Sequence, residues 1–133
     1  MSFLKNIKTP DDLLQEYKET KVNQVNALRD SKLDTFVYNG VEFQTRPTDR
    51  ENIMGEAINL ALDGGDADIE WIAADNSIVV FTPAEFISFA KAVGEAKRDC
   101  IFKGREMKDA ILAATTREEV DAITWPDHDQ EAE

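Results

Sequence analysis

The sequence has one histidine, one cysteine and no long hydrophobic run among its 133 residues. The single histidine, His128, cannot by itself form a histidine-based catalytic triad or a histidine zinc site. The single cysteine, Cys100, excludes an intramolecular disulfide and suits a reducing compartment. The opening MSFLKNIK has no apolar stretch of the kind found in signal peptides, so the sequence predicts neither secretion nor membrane spanning.

Basic residues are also scarce, since 15 Lys and Arg stand against 27 Asp and Glu and give a formal charge of −12. Residues 51–90 contain eight acidic residues and no Lys or Arg, and we call them the acidic segment. Residues 126–133 form an acidic tail with four more acids. Such a charge argues against a basic patch that binds nucleic acid or an anionic membrane.

The acidic segment has two interpretations, a solubilising surface or a docking surface for a basic partner. Its loop from Asp63 to Asp68 could also offer oxygen ligands to calcium. The EF-hand spacing fails there, because glycines stand where ligands are needed and Ala74 occupies the twelfth position. We therefore expect a plain connection, with no metal or cofactor, and keep Asp66 and Asp68 as candidate contact residues.

Four sites show a threonine followed three residues later by an acid, a pattern that caps the first turn of a helix. They are TPDD from Thr9, TDRE from Thr48, TPAE from Thr82 and TREE from Thr116. The predicted helices are residues 10–32, 49–62, 83–114 and 117–123. The pair Gly64-Gly65 suits a left-handed cap at the end of the second helix.

Two hairpins are predicted between the helices, over residues 35–45 and 69–81. In the first, Asn39-Gly40 suits a two-residue type I′ turn that sets Phe36 opposite Phe43 and Tyr38 opposite Val41.

The second hairpin is predicted to turn near Asp75-Asn76 and is apolar on both faces. The expected faces are Trp71 with Ile78 and Val80 on one side, and Ile72 with Val79 and Phe81 on the other. Both faces then need cover, from helices or from a partner chain.

The third helix carries apolar or small residues at an average spacing of 3.5 residues, which is typical of a coiled-coil seam. The seam consists of Phe86, Phe89, Val93, Ala96, Cys100, Gly104, Met107, Ile111 and Ala114. A helix of this length spans about 48 Å at 1.5 Å per residue, more than the width of so small a globule. Part of the seam must therefore pack on the first helix, on the last helix or on another copy of the chain.

These patterns predict an α+β fold, with a small antiparallel sheet of two β-hairpins packed with long helices in a single domain over residues 1–125. The candidate interaction residues are seam positions, the two tryptophans and the two loop acids. They are Phe86, Phe89, Val93, Met107, Ile111, Trp71, Trp125, Asp66 and Asp68. Trp71 is expected in the core, whereas Trp125 could cap the seam or face a partner.

Three segments carry a family resemblance: FVYNGVEFQT from Phe36, the W…DN hairpin that leads into a threonine-capped helix, and KDAILAATTREEVDAITW ending at Trp125. Together, over roughly residues 20–125, they resemble a domain of unknown function found in tailed bacteriophages. That domain typically forms the C-terminal part of tail fibre assembly proteins, or occurs in small tail-associated proteins. Many assembly proteins have a longer N-terminal region, so an assembly chaperone and a virion component both remain open.

The resemblance implies a non-enzymatic protein that contacts a phage tail or tail-fibre subunit, in the virion tail or in the host cytoplasm during assembly. A homo-oligomer through the long helix is a further expectation. The alternative from another class is an acidic inhibitor that mimics DNA phosphates and occupies a host nucleic-acid enzyme. The resemblance brings no catalytic residues with it.

Overall fold

The fold is α+β, as the sequence predicts. It is seen in a computed structural model that describes residues 7–125. Two separate two-stranded antiparallel hairpins pack with four helices, one of them 31 residues long. In chain order the elements are α1 Pro10–Lys32, β1 Thr35–Tyr38, β2 Val41–Gln44, α2 Pro47–Asp63, β3 Ile69–Ile72, β4 Ile78–Phe81, α3 Pro83–Ala113 and α4 Arg117–Asp121.

Reciprocal side-chain caps begin three of the helices where the sequence predicts them. Thr9, Thr82 and Thr116 each accept a hydrogen bond from the backbone N–H three residues on, and the acid at that position accepts from the threonine N–H. Each cap satisfies amide groups that the first turn of a helix leaves without partners.

The start predicted for α2 at residue 49 is wrong, because the helix begins at Pro47 and Thr48 lies inside it. Proline at the first helical position has its φ angle already set and lacks an N–H that would need a partner. Asp49 completes this start by accepting the backbone N–H of Arg46 at 3.1 Å. The predicted glycine cap is confirmed, since Gly64 has a φ of 64°, and the helix ends at Asp63, one residue later than predicted.

The first hairpin has the predicted register. Phe36 lies opposite Phe43 and Tyr38 opposite Val41. Asn39 and Gly40 have φ angles of 51° and 78°, the left-handed pair that a type I′ turn requires. Phe43 points into the core, whereas Val37 on the other face is exposed.

The second hairpin differs from its prediction in which side chains share a face. Trp71 lies opposite Val79, and Ile72 lies opposite Ile78. The cause is a three-residue loop, 74–76, in which Asn76 adopts a φ of 72° and donates its N–H to the carbonyl of Ala73. A turn centred on two residues would have shifted the pairing by one and exchanged the faces of one strand.

The first of two buried clusters joins both hairpins to α2 and the N-terminal half of α3. Its centre is aromatic, with Phe89 in ring contact with Tyr38, Phe43, Phe81 and Phe86. The remaining buried members are Ile53, Ala73, Ala90 and Val93.

The second buried cluster lies between α1, the C-terminal half of α3, and the segment that contains α4. Its buried members are Val25, Met107, Ile111, Ala114, Val120 and Trp125. The charged Lys18 is also buried here, and its Nζ donates to the carbonyl of Leu112 at 2.9 Å. That bond satisfies one of the carbonyls that the last turn of α3 leaves without a helical partner.

Between the two clusters α3 presents the small seam residues to α1. The Sγ of Cys100 lies 3.7 Å from the carbonyl oxygen of Arg29. A Cβ placed on Gly104 would come within 3.4 Å of the Cδ of Arg29. The small side chains therefore allow α1 and α3 to approach each other closely.

The seam of the long helix is thus covered by the chain itself. Six of its nine positions, other than Ala96, Cys100 and Ala114, are buried within α3, and Ala114 is buried just after it. A homo-oligomer could not use this seam without opening both clusters, so any self-association would need another face.

The single-domain organisation over residues 1–125 stays a prediction. The buried residues form two clusters, and α3 contributes residues to both of them. The acidic tail and His128 lie outside the described residues. Within residues 7–125, no helix is long and apolar enough to cross a membrane.

Candidate interaction surface

The second hairpin packs one of its faces on the core and exposes the other to solvent. Its inner face carries the half-buried Trp71 and Val79 and the buried Phe81. Its outer face, which we define as Glu70, Ile72, Ile78 and Val80, carries three β-branched side chains that are 62%, 61% and 56% exposed in that order. Single exposed apolar residues are ordinary on protein surfaces, but neighbours on adjacent strands form a contiguous patch.

The backbone of β4 is also open along one edge. The N–H of Ala73 donates to the carbonyl of Ser77. Because hydrogen-bonded and non-hydrogen-bonded pairs alternate along an antiparallel ladder, the next hydrogen-bonded pairs are Trp71–Val79 and Ile69–Phe81. The N–H and C=O groups of Ile78 and Val80 consequently point away from β3. Within residues 7–125, no backbone hydrogen bond joins β4 to an element other than β3.

The opposite side of this hairpin faces the rest of the fold. The N–H of Ala74 donates to the carbonyl of Glu42 in β2 at 2.8 Å. Trp71 packs on Phe86 of α3 with 4.8 Å between ring centroids. These contacts join the hairpin to β2 through its loop and to α3 through its inner face, and none of them involves the outward backbone groups of β4.

Acidic residues lie on the outer face and next to it along the chain. Glu70 lies on it directly opposite Val80, and Asp75 lies in the adjoining loop. Asp66 and Asp68 are exposed in the segment that leads into β3. The acidic segment contains no Lys or Arg, so its own charges would attract a basic partner that docks here.

Asp75 is held in its charged form by Ser77. The Oγ of Ser77 donates to Asp75 Oδ1 at 2.6 Å, and the backbone N–H of Ser77 donates to the same oxygen at 3.0 Å. These hydrogen bonds lower the pKa of Asp75 below its ordinary value of 3.8, and the bond from the Ser77 hydroxyl has the larger effect. The associated stabilisation is present above pH 3.8 and is lost as the pH falls through the lowered pKa of the folded state.

We expect Ser77→Ala to raise the pKa of Asp75 part of the way back, because the hydroxyl donor is lost and the backbone donor stays. An NMR titration of the Asp75 carboxyl carbon measures this change. Ser77→Thr is the control, since it keeps a hydroxyl. An identical titration curve in the alanine variant would show that the hydroxyl does not hold the carboxylate.

The structure brings only part of the predicted interaction residues to this surface. Asp66 and Asp68 lie near it along the chain, and Trp71 supports it from the inner face. The seam residues, in contrast, are buried in the two clusters and are not accessible to a partner: Phe86, Phe89, Val93, Met107 and Ile111. Trp125 caps the seam, because it is buried in the second cluster. The Nζ of Lys32 lies 5.4 Å from the centroid of the Trp125 ring.

The prediction missed Ile72, Ile78 and Val80 as surface residues. A signal for them was present, because a four-residue strand that is apolar on both faces needs two layers of cover. The loop length that decides which face turns inward could not be read from the Asp75-Asn76 pair alone.

Elsewhere the described residues form a groove of mixed charge. A shallow groove between α1 and α3 is lined by Val22, Asn23, Arg105, Asp109 and Leu112, a mixture of charges of both signs. Among the described residues, no three His, Cys, Asp or Glu side chains cluster closely enough to hold a metal ion. The outer face and open edge of the second hairpin therefore form the candidate site.

Comparison with known proteins gives one match. No curated protein and no solved structure matches the chain. The model of a family described as a domain of unknown function, DUF4376, matches residues 16–124. This range begins inside α1 and includes both hairpins, α2, α3 and α4. Since the match spans most of the sequence, the chain belongs to the DUF4376 family.

Proposed function

We propose that this chain is a non-enzymatic bacteriophage tail or tail-fibre protein that acts through protein–protein contacts. It would serve either as a component of the virion tail or as a fibre assembly chaperone in the host cytoplasm. The resemblance of its hairpins and of its C-terminal helices to a domain of tailed phages supports the phage context.

The observation that carries the contact role is the outer face of the second hairpin. Three neighbouring β-branched side chains there are more than half exposed, beside a strand edge without a backbone partner among residues 7–125. Apolar surface of this kind gains free energy when a partner removes it from water. A mimic of DNA phosphates would need charge at these positions, so the apolar character favours a protein partner.

The test is mass spectrometry of purified phage particles and of complexes captured with the tagged chain from infected cells. We expect the chain in the particles, or a tail or fibre subunit in the complexes. Capture from cells that express the tag alone is the control. Absence of the chain from particles, together with complexes that contain no tail or fibre subunit, would contradict the proposal.

A further inference from the structure

We propose that the open edge of β4 binds a β-strand of the partner protein, and that this strand alternates β-branched apolar residues with Lys or Arg. The inference rests on the proposed function, because it names the class of partner segment for the same surface. It commits to strand addition, in which backbone hydrogen bonds supply affinity and alternate side chains supply specificity.

The backbone of β4 favours a strand over other partners. The outward N–H and C=O groups of Ile78 and Val80 have no protein partner among the described residues, and a strand in the plane of the sheet would pair with them. Edge strands are commonly protected by lysine, proline or a bulge. Strand β4, with the sequence IVVF, has none of these.

The side chains of the outer face define half of the partner pattern. Residues of an added strand that point to this face would lie next to Ile78 and Val80, at the spacing of cross-strand neighbours. Apolar, β-branched side chains at every second position would continue the patch and bury it. The alternate side chains of the strand point to the opposite face, where Lys or Arg would be attracted by the longer-range field of the acidic segment.

The charge of the acidic segment defines the other half. The acidic segment, which includes this hairpin with Glu70 and Asp75, has eight acids and no Lys or Arg, so Lys or Arg in the partner would be attracted and acidic residues repelled. The same charge disfavours a second copy of the chain, because pairing β4 with β4 would bring two such segments together. Electrostatic complementarity therefore selects a basic strand from a different protein.

The probe is a fluorescent nine-residue peptide that alternates Val and Lys, titrated with the purified full chain and followed by anisotropy. We expect saturable binding that weakens about tenfold as salt screens the charges between 50 and 500 mM. A peptide with Glu in place of Lys should not bind. A Val/Lys peptide that is N-methylated on the residues facing β4 should also fail, because it keeps every charge and loses the backbone donors.

Three lysine variants of the protein separate the contribution of the β4 edge to binding from that of overall charge. Val80→Lys should weaken peptide binding by about tenfold or more, since it places a like charge at the contact. Leu62→Lys changes the charge of the acidic segment equally at a residue that is 78% exposed on α2, and it should stay within about twofold. Ile78→Lys is the second edge variant, and circular dichroism verifies that each variant is folded.

Four results would overturn the inference. They are the absence of saturable binding, equal losses in the edge and Leu62 variants, unchanged binding of the N-methylated peptide, and a dimer in light scattering that Val80→Lys dissociates. The last result would assign the edge to a second copy. Since the peptide assay uses only the purified chain, it can fail while the particle analysis succeeds, and the reverse.

Discussion

Replacing Phe89 with alanine is expected to lower the free energy of unfolding by about 3–5 kcal/mol, the usual range for a buried phenylalanine. Phe89 is 0% exposed and lies at the centre of the first cluster. Its ring centroid is 4.7 Å from that of Phe43 and 5.1 Å from that of Phe81. It also lies 5.3 Å from the ring of Tyr38. The variant would therefore lose contacts with both hairpins at once.

Urea unfolding followed by circular dichroism measures this loss. The control is Phe102→Ala, which removes a phenylalanine from the exposed side of the same helix and should have little effect. Because small proteins have about 5–15 kcal/mol of stability in total, the Phe89 variant should lose a large share of it. Equal midpoints in the two variants would show that the aromatic cluster does not stabilise the fold.

Replacing Ile111 with alanine is expected to lower the free energy of unfolding by about 2–5 kcal/mol, through the second cluster. Ile111 is completely buried against residues of α1, α4 and the segment that follows α4. No aromatic residue of the first cluster belongs to this set. The loss should therefore come from contacts that hold the two terminal parts of the fold to α3.

The neighbouring residue provides a matched control for Ile111. Leu112→Ala removes a similar side chain from the exposed side of α3, and it leaves the backbone carbonyl that Lys18 binds. Thermal unfolding of both variants measures the difference, and we expect a clear fall in melting temperature for Ile111→Ala only. Comparable falls in both would contradict the position of Ile111 at the centre of this cluster.

The two variants also report on how the clusters depend on each other. They share α3, and between them the helix contacts α1 through small residues such as Gly104. If a rigid α3 couples the clusters, each variant should unfold in one transition, with circular dichroism and tryptophan fluorescence changing together. Trp71 lies beside the first cluster and Trp125 in the second, so fluorescence follows both.

The stability predictions and the binding prediction concern different parts of the molecule. The stability predictions concern side chains that face inward, whereas the partner is expected to read Ile78 and Val80 on the outer face. A variant such as Val80→Lys can therefore lose binding while the core variants lose stability. This separation makes the surface testable without unfolding the protein.

The sequence by itself determined the features that depend on neighbours a few residues away. The caps at Thr9, Thr82 and Thr116 and the type I′ turn at Asn39-Gly40 form through short-range hydrogen bonds and backbone preferences. The 3.5-residue spacing likewise predicted which side of α3 is buried. It did not show what would cover that side.

Only the tertiary structure decided the partner of each face. One extra residue in the loop at Asn76 set Trp71 opposite Val79 and turned Ile72, Ile78 and Val80 outward. The strands are apolar on both sides, so their pattern left two registers open, and packing of Trp71 on Phe86 fits one of them. The seam of α3 is divided between two clusters for a similar reason, because burial depends on which distant elements the chain brings to it.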